Sequence, residues 1–268
     1  YYDCTADNLF LPDVEQIEAL ITLRTRALVI INPNNPTGAC YPKALLEKLV
    51  GIARKHNLLL MCDEIYDGII YDDAKFEALA PLAGDHPCLS FGGLSKVYRA
   101  CGWRIGWMVL SGEATRIGDY HHALDLLGAL RLCANVPGQY AIPAALEGIS
   151  TICELTAENG RLYESRRAVI EACANSKYLS LVTPQAALYG FVGVTGALAA
   201  NFNDHQFAYD LLEQESVLVV PGSSFNVPYK NYFRITLLPE ADELREVFVR
   251  IERLLERYAE KNFQREVA

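Results

Sequence analysis

The chain has 268 residues, 51% hydrophobic and 21% charged, which suits one or two domains with a large core and excludes a disordered or fibrous chain. With 24 basic against 33 acidic residues the net charge is −9, which argues against a nucleic-acid binder or a protein docked on an anionic membrane. No uncharged apolar run approaches the roughly 18–20 residues of a membrane span.

In chain order, residues 26–31 (RALVII) read as a buried strand, followed by the turn-rich run NPNNPTG at 32–38. Pro42 stands where the first turn of a helix tolerates proline, and 42–56 has helical periodicity. Further apolar runs at 58–62, 88–91 and 105–110 read as strands. Strand and helix in this rhythm imply a mostly parallel α/β sheet with helices on both faces, whose doubly buried strands are continuously apolar.

Residues 113–175 read as helical, broken near Pro137 and Pro143, with one long helix over 158–174. Beyond them the pattern changes. Runs at 180–183, 188–194, 216–222 and 232–238 read as strands, with helices at 203–215 and 239–262. The expected organisation is a large domain over 1–165 and a smaller α+β domain over 166–268.

Eight cysteines form no C-x-x-C pair and several lie in apolar runs, so they read as buried free thiols of a reducing cytoplasm. The five histidines lack metal-ligand spacing, no metal site is expected, and the adjacent His121 and His122 read as surface residues.

Five features carry chemistry. Lys96, in FGGLSK, follows the strand at 88–91 through two glycines, and strand ends of an open sheet are where ligands bind; it also reads as a surface lysine on a loop. Arg104, in CGWRIGW, is poorly explained as a solvated charge and suits a phosphate, whose oxygens match a guanidinium fork. Asp63 ends an all-apolar strand, where a carboxylate needs a cation or a donor; a helix N-cap is the alternative. Together with Tyr66 it suits a protonated pyridine ring bearing a hydroxyl. Asn35 lies in 32–38, a run that turn chemistry alone also explains, and could donate to a ligand at the strand end. Arg234, in YFRITL, is either an edge-strand charge or a carboxylate clamp.

In this order and spacing, NPNNPTG (32–38), DEIY (63–66), SKVYRxCGWRIGW (95–107) and FRIT (233–236) resemble the fold-type I, pyridoxal-phosphate-dependent aminotransferases of class I/II across essentially the whole chain. IINPNNPTGA, FxGLSKxYR and RLCANVP (131–137) look most like the bacterial glutamate–pyruvate (alanine) branch.

The resemblance implies that Lys96 carries pyridoxal phosphate covalently, Asp63 keeps the ring nitrogen protonated, Tyr66 and Asn35 bind the ring hydroxyl oxygen, Ser95 and Arg104 hold the phosphate, and Arg234 binds the substrate carboxylate. It implies amino acids and 2-oxo acids as substrates, alanine with 2-oxoglutarate foremost, and a cytoplasmic homodimer. Gly93 stands where many relatives have Ser or Thr, which removes one phosphate hydroxyl.

Relatives also carry an upstream segment with the phosphate-binding turn, the aromatic that stacks on the ring and residues that reach the partner's site. The chain is expected to match roughly the last two-thirds of a family member, with an incomplete large domain. A β-eliminating lyase on the same scaffold, separable by ammonia release, and a non-enzymatic aminotransferase-like effector domain are the alternatives. A nicotinamide-binding domain is disfavoured, since no G-x-G-x-x-G follows a strand.

Overall fold

A computed structural model describes the backbone of residues 1–267 and the side chains of 1–260. Strands β1 (Ala27–Ile31), β2 (Leu59–Asp63), β3 (Cys88–Gly93) and β4 (Gly106–Ser111) form one sheet in that order. The first three are parallel and β4 returns antiparallel to β3. Each lies within two residues of its expected run.

The short helix α1 (Val14–Leu20) was not expected from periodicity, although its signal was present. Asp13 caps it, accepting from the Glu15 and Gln16 amides. Helix α2 (Lys43–Lys55) starts after Pro42 as expected. It buries Leu46, Leu49, Val50 and Ala53, a spacing of three and four residues that aligns them on one face. With α3 (Leu79–Ala83), that stripe covers Leu28, Ile30, Leu60 and Cys62 in one apolar cluster. Both helices pack on this face, so the opposite one is more open than continuously apolar strands imply: Val29 is 52% and Met108 40% exposed.

The helical region after β4 divides into α4 (Ala114–Arg131), α5 (Val136–Gln139), α6 (Ala141–Glu147), α7 (Ile152–Thr156) and α8 (Arg161–Asn175). Pro137 and Pro143 stand in the first turns of α5 and α6, where a missing N–H costs no hydrogen bond.

The second sheet is antiparallel, with β5 (Leu179–Leu181), β6 (Tyr189–Val194), β7 (Val220–Pro221) and β8 (Tyr232–Thr236) in the order β5-β6-β8-β7. Helix α9 (Asp204–Glu215) lies against this sheet, and α10 (Ala241–Val267) packs against α8 and α9. The strand expected over 216–222 shrinks to two residues. Ser216 is left-handed (φ 55°) and caps α9, so the chain is still turning there. Val217 and Val219 are apolar because they pack in the core, not because they extend a ladder.

The two cores interlock. Tyr66, Ile69, Tyr71 and Val97 share a cluster with Phe207, Phe233 and Leu254, while Phe191 packs with Phe10, Leu28 and Ile30. The end of α9 is tied to α10 by the buried Glu215, which accepts from Arg253 (2.9 Å) and Arg257 (2.6 Å). The Arg257 hydrogen bond holds the Glu215 carboxyl below its ordinary range.

All eight cysteines are free, but the expectation that they are buried holds only in part. Cys40, Cys62, Cys88 and Cys173 are buried, Cys4 is half-buried, and Cys101, Cys133 and Cys153 are exposed. The exposed three stand in a short 3-10 turn, a loop and the first turn of α7, which meet water rather than the core. Burial raises the Cys40 and Cys88 thiols to about 11 and Cys173 to about 12, so they stay protonated. Among the described residues no helix is long and apolar enough to cross a membrane.

Candidate active site

Three parallel strands end side by side, and each hands over directly to a chemistry-bearing segment. Asp63 is the last residue of β2, between Ile31 of β1 and Phe91 of β3. The 32–38 loop follows β1, Asp63–Tyr66 closes β2, and Ser95 and Lys96 follow β3. Such carboxyl ends are the usual ligand crevice of an open α/β sheet.

The 32–38 loop uses its asparagines for different purposes. Asn32 Oδ1 accepts from the Tyr41 amide (2.8 Å), and Asn34 Oδ1 accepts from the Thr37 hydroxyl (2.8 Å), so both hold the turn together. Gly38 is left-handed (φ 73°), and a Cβ there would stand 2.5 Å from Pro184 Cβ. That close approach lets the Gly38 carbonyl accept from the Gln185 and Ala186 amides, which docks the chain leading into β6. Asn35 is the asparagine whose side chain reaches away from the loop.

Asn35 Oδ1 accepts from Arg234 Nη1 at 2.9 Å, across 199 residues of sequence. The Arg234 guanidinium lies 4.3 Å from the Tyr189 ring centroid and 4.9 Å from that of Phe225. The Tyr189 hydroxyl is 2.9 Å from that of Tyr66, and the Lys96 amine lies 5.7 Å from the Tyr66 ring centroid. Asn35, Arg234, Tyr189, Tyr66 and Lys96 therefore form one continuous series of contacts. Asp63 borders it, and the Asp63 carboxylate and the Arg234 cation both bear electrostatically on Tyr66.

Burial above all, and then the Tyr189 hydroxyl, push the Tyr66 phenol well above its ordinary value. It stays protonated, and available as a donor, throughout the physiological range. Asp63 Oδ1 accepts from the Ile65 amide (3.1 Å), and the carboxylate has no ion pair among the described residues. Its helix-cap alternative is replaced by this two-residue turn.

Ser95, Lys96 and Arg104 share the connection between β3 and β4, whose base is fixed by the Leu94 amide donating to the Ile105 carbonyl (3.0 Å). Arg104 is left-handed (φ 55°) and exposed, and its Nη1 donates to the Cys101 carbonyl (2.7 Å). Ser95 is half-buried. Among the described residues neither side chain makes a hydrogen bond with the Asn35–Lys96 series, although Ser95 precedes Lys96 directly in the chain.

Sequence reading missed Tyr189 and Phe225. Phe191 is the register partner of Arg234, so Tyr189, two residues earlier on the same face, meets the arginine diagonally. A tyrosine at the start of an apolar strand was visible; the register was not.

Glu64, next to Asp63, points elsewhere. Its Oε1 accepts from the Leu79 amide (2.8 Å), tying β2 to α3, and burial raises its carboxyl above the usual 4.5. A raised carboxyl binds its proton more tightly in the folded chain, so its contribution to stability is greatest below pH 4.5 and is lost as pH rises through the folded value. Glu64→Gln keeps the acceptor and removes this loss. Denaturant melts of the two proteins from pH 4 to 7 are expected to show the variant gaining relative stability as pH rises; a constant difference contradicts the assignment.

The chain matches the model of the family "Aminotransferase class I and II" over residues 1–251. It is 45% identical over 258 residues to glutamate–pyruvate aminotransferase AlaA of Escherichia coli K12, covering 96% of this chain and 64% of that protein. It is 42% identical to an alanine aminotransferase of Mycobacterium tuberculosis H37Rv, covering 96% of this chain and 60% of that protein. Among solved structures, an aminotransferase from Escherichia coli superposes with a TM-score of 0.92 at 45% identity, covering 95% of this chain and 63% of that one. The alanine aminotransferase of Pyrococcus furiosus does so with a TM-score of 0.88 at 34% identity, covering 96% and 64%. The chain thus spans less than two-thirds of the length of these relatives. With a family match along nearly all of its length, and a mostly parallel sheet whose strand ends gather these residues, the chain belongs to the class I and II aminotransferases.

Proposed function

We propose that the protein is a pyridoxal-phosphate-dependent aminotransferase that exchanges an amino group between an amino acid and a 2-oxo acid, alanine with 2-oxoglutarate foremost. The observation that carries this is the convergence of an amine (Lys96), a buried phenol (Tyr66) and a guanidinium (Arg234) beside the carboxylate of Asp63. The similarity to alanine and glutamate–pyruvate aminotransferases supports the substrate pair.

The donor set fits the cofactor. An amine suits its aldehyde, a carboxylate without a counter-ion suits a protonated ring nitrogen, and a neutral phenol suits the ring oxygen. When bound, the cofactor supplies an electron sink for the charge left on the substrate's Cα.

The chain's own groups do the rest. Asp63 holds the proton on the ring nitrogen. Tyr66 donates to the ring oxygen, and Asn35 donates there through its amide nitrogen. Ser95 and Arg104 bind the phosphate. Arg234, already steered by Asn35 and two aromatic faces, takes the substrate carboxylate in a fork. Lys96 would hold the cofactor's aldehyde, and its Nζ as a free amine would move the proton away from the substrate's Cα as a general base.

In the same proposal, residues 1–165 form the cofactor-binding part, 166–268 the smaller domain, and the protein works as a cytoplasmic homodimer. In support, none of the residues of α4 is buried, and Leu126, Leu127 and Leu130 stand exposed on it.

The test is the purified protein with pyridoxal phosphate, L-alanine and 2-oxoglutarate. Pyruvate and glutamate are expected in equal amounts without ammonia. Ammonia in step with pyruvate would indicate a lyase, and cofactor binding without turnover would indicate an effector domain.

A further inference from the structure

Tyr189 touches both halves of the candidate site and has no assigned role. Its hydroxyl lies 2.9 Å from that of Tyr66, and its ring lies 4.3 Å from the Arg234 guanidinium. One contact is a hydrogen bond and the other is an aromatic face on a cation, so different atoms of one side chain make them.

The residue is held firmly. Before it, the Gln185 and Ala186 amides donate to the Gly38 carbonyl (both 2.9 Å), the Ala187 amide donates to Ile69, and the buried Tyr71 hydroxyl donates to the Ala187 carbonyl (3.0 Å). Tyr189 itself is paired with Thr236 in the sheet. Its position is thus referenced to the 32–38 loop, the segment after β2 and the strand that carries Arg234.

The two phenols share one proton between their oxygens. If Tyr66 spends its own proton on a ligand, Tyr189 must donate to Tyr66, and each bond strengthens the other.

Resting on the function proposed above, we propose that Tyr189 is a positioning residue with two separable tasks: its hydroxyl donates to Tyr66 and strengthens Tyr66 as donor to the cofactor's ring oxygen, and its ring fixes the Arg234 guanidinium for the substrate carboxylate. Tyr189→Phe removes only the first task, and Tyr189→Leu removes both.

The experiment uses the protein loaded with pyridoxal phosphate and two readouts besides turnover. One is the pH titration of the bound cofactor's visible absorbance; the other is the affinity for pyruvate from its perturbation of that absorbance. Tyr66→Phe and Arg234→Ala are the controls, and thermal unfolding monitors the fold of every variant.

Tyr189→Phe is expected to raise the titration midpoint by about half a pH unit, in the direction of Tyr66→Phe but by less, because a weaker donor stabilises the deprotonated oxygen less. Its pyruvate affinity is expected to stay within about twofold of the parent. Tyr189→Leu is expected to show the same midpoint shift and to weaken pyruvate about fivefold or more, as loss of a cation–π contact implies.

Should both controls respond while Tyr189→Phe leaves the midpoint unmoved, or Tyr189→Leu binds pyruvate like the parent, the inference on Tyr189 is overturned and the site reading stands. Should neither control respond, the reading of the site itself fails. A Tyr189→Leu protein that does not fold leaves Tyr189→Phe to decide the hydrogen-bond task, and Tyr189→Met, unbranched and closer in length, to decide the ring task.

Discussion

Lys96→Ala is expected to abolish covalent retention of pyridoxal phosphate and to lower transamination by at least three orders of magnitude. Lys96 carries two tasks in the proposed mechanism, attachment of the cofactor and proton transfer at Cα, and a positioned general base alone is commonly worth about 10²–10⁴ in rate. The substitution should be tolerated by the fold. Lys96 lies half-buried in the connection between β3 and β4, and among the described residues it has no ion pair; its amine lies over the face of the Tyr66 ring. The check is borohydride reduction of the loaded parent, digestion, and mass spectrometry of the peptide around residue 96. The cofactor is expected there in the parent and nowhere in the variant. Label on another lysine, with full retention in Lys96→Ala, would falsify the assignment.

Asp63→Asn is expected to slow transamination by about 10²–10³-fold, roughly 3–4 kcal/mol in the barrier, comparable to removing one aimed charge-stabilising group from an active site. An amide lacks the charge that favours a proton on the ring nitrogen. The variant isolates that charge, because Asp63 Oδ1 also accepts from the Ile65 amide and an asparagine oxygen can still do so. The turn from β2 to Tyr66 is therefore expected to survive, with the unfolding free energy within about 0.5 kcal/mol of the parent, as for most substitutions that keep local hydrogen bonds. Single-turnover rates with L-alanine, set beside denaturant melts, separate the two effects. Turnover within tenfold of the parent would remove Asp63 from the proposed role, and a matched loss of stability and rate would make it structural.

The linear sequence revealed the three parallel strands and what immediately follows them. Apolar runs of strand length, each ending in a polar residue, are local features, and a parallel sheet necessarily brings the same ends of its strands together. Chain order alone therefore places Asn35, Asp63, Tyr66, Ser95 and Lys96 at one edge. Local pattern misled where burial had a different origin. The apolar run 216–222 is apolar because Val217 and Val219 pack into the core as the chain turns off α9, and only Val220–Pro221 joins the ladder.

Contacts between distant segments lay beyond sequence reading. Arg234 reaches Asn35 across 199 residues, and Tyr189 meets both Arg234 and Tyr66 because β6 and β8 pair in one register out of several that their patterns allow. A shift of one residue would turn Tyr189 to the face opposite Arg234, and β6, apolar throughout (YGFVGV), has no alternation of its own to forbid it. The tertiary structure decides the register by packing Phe191 and Phe233 into opposite clusters and by docking 184–187 on Gly38. The sequence by itself thus determined which groups stand at the strand ends, since chain connectivity puts them there. Which distant groups face them was decided only by the packing of one sheet against the other, which depends on the shapes of side chains far apart in sequence.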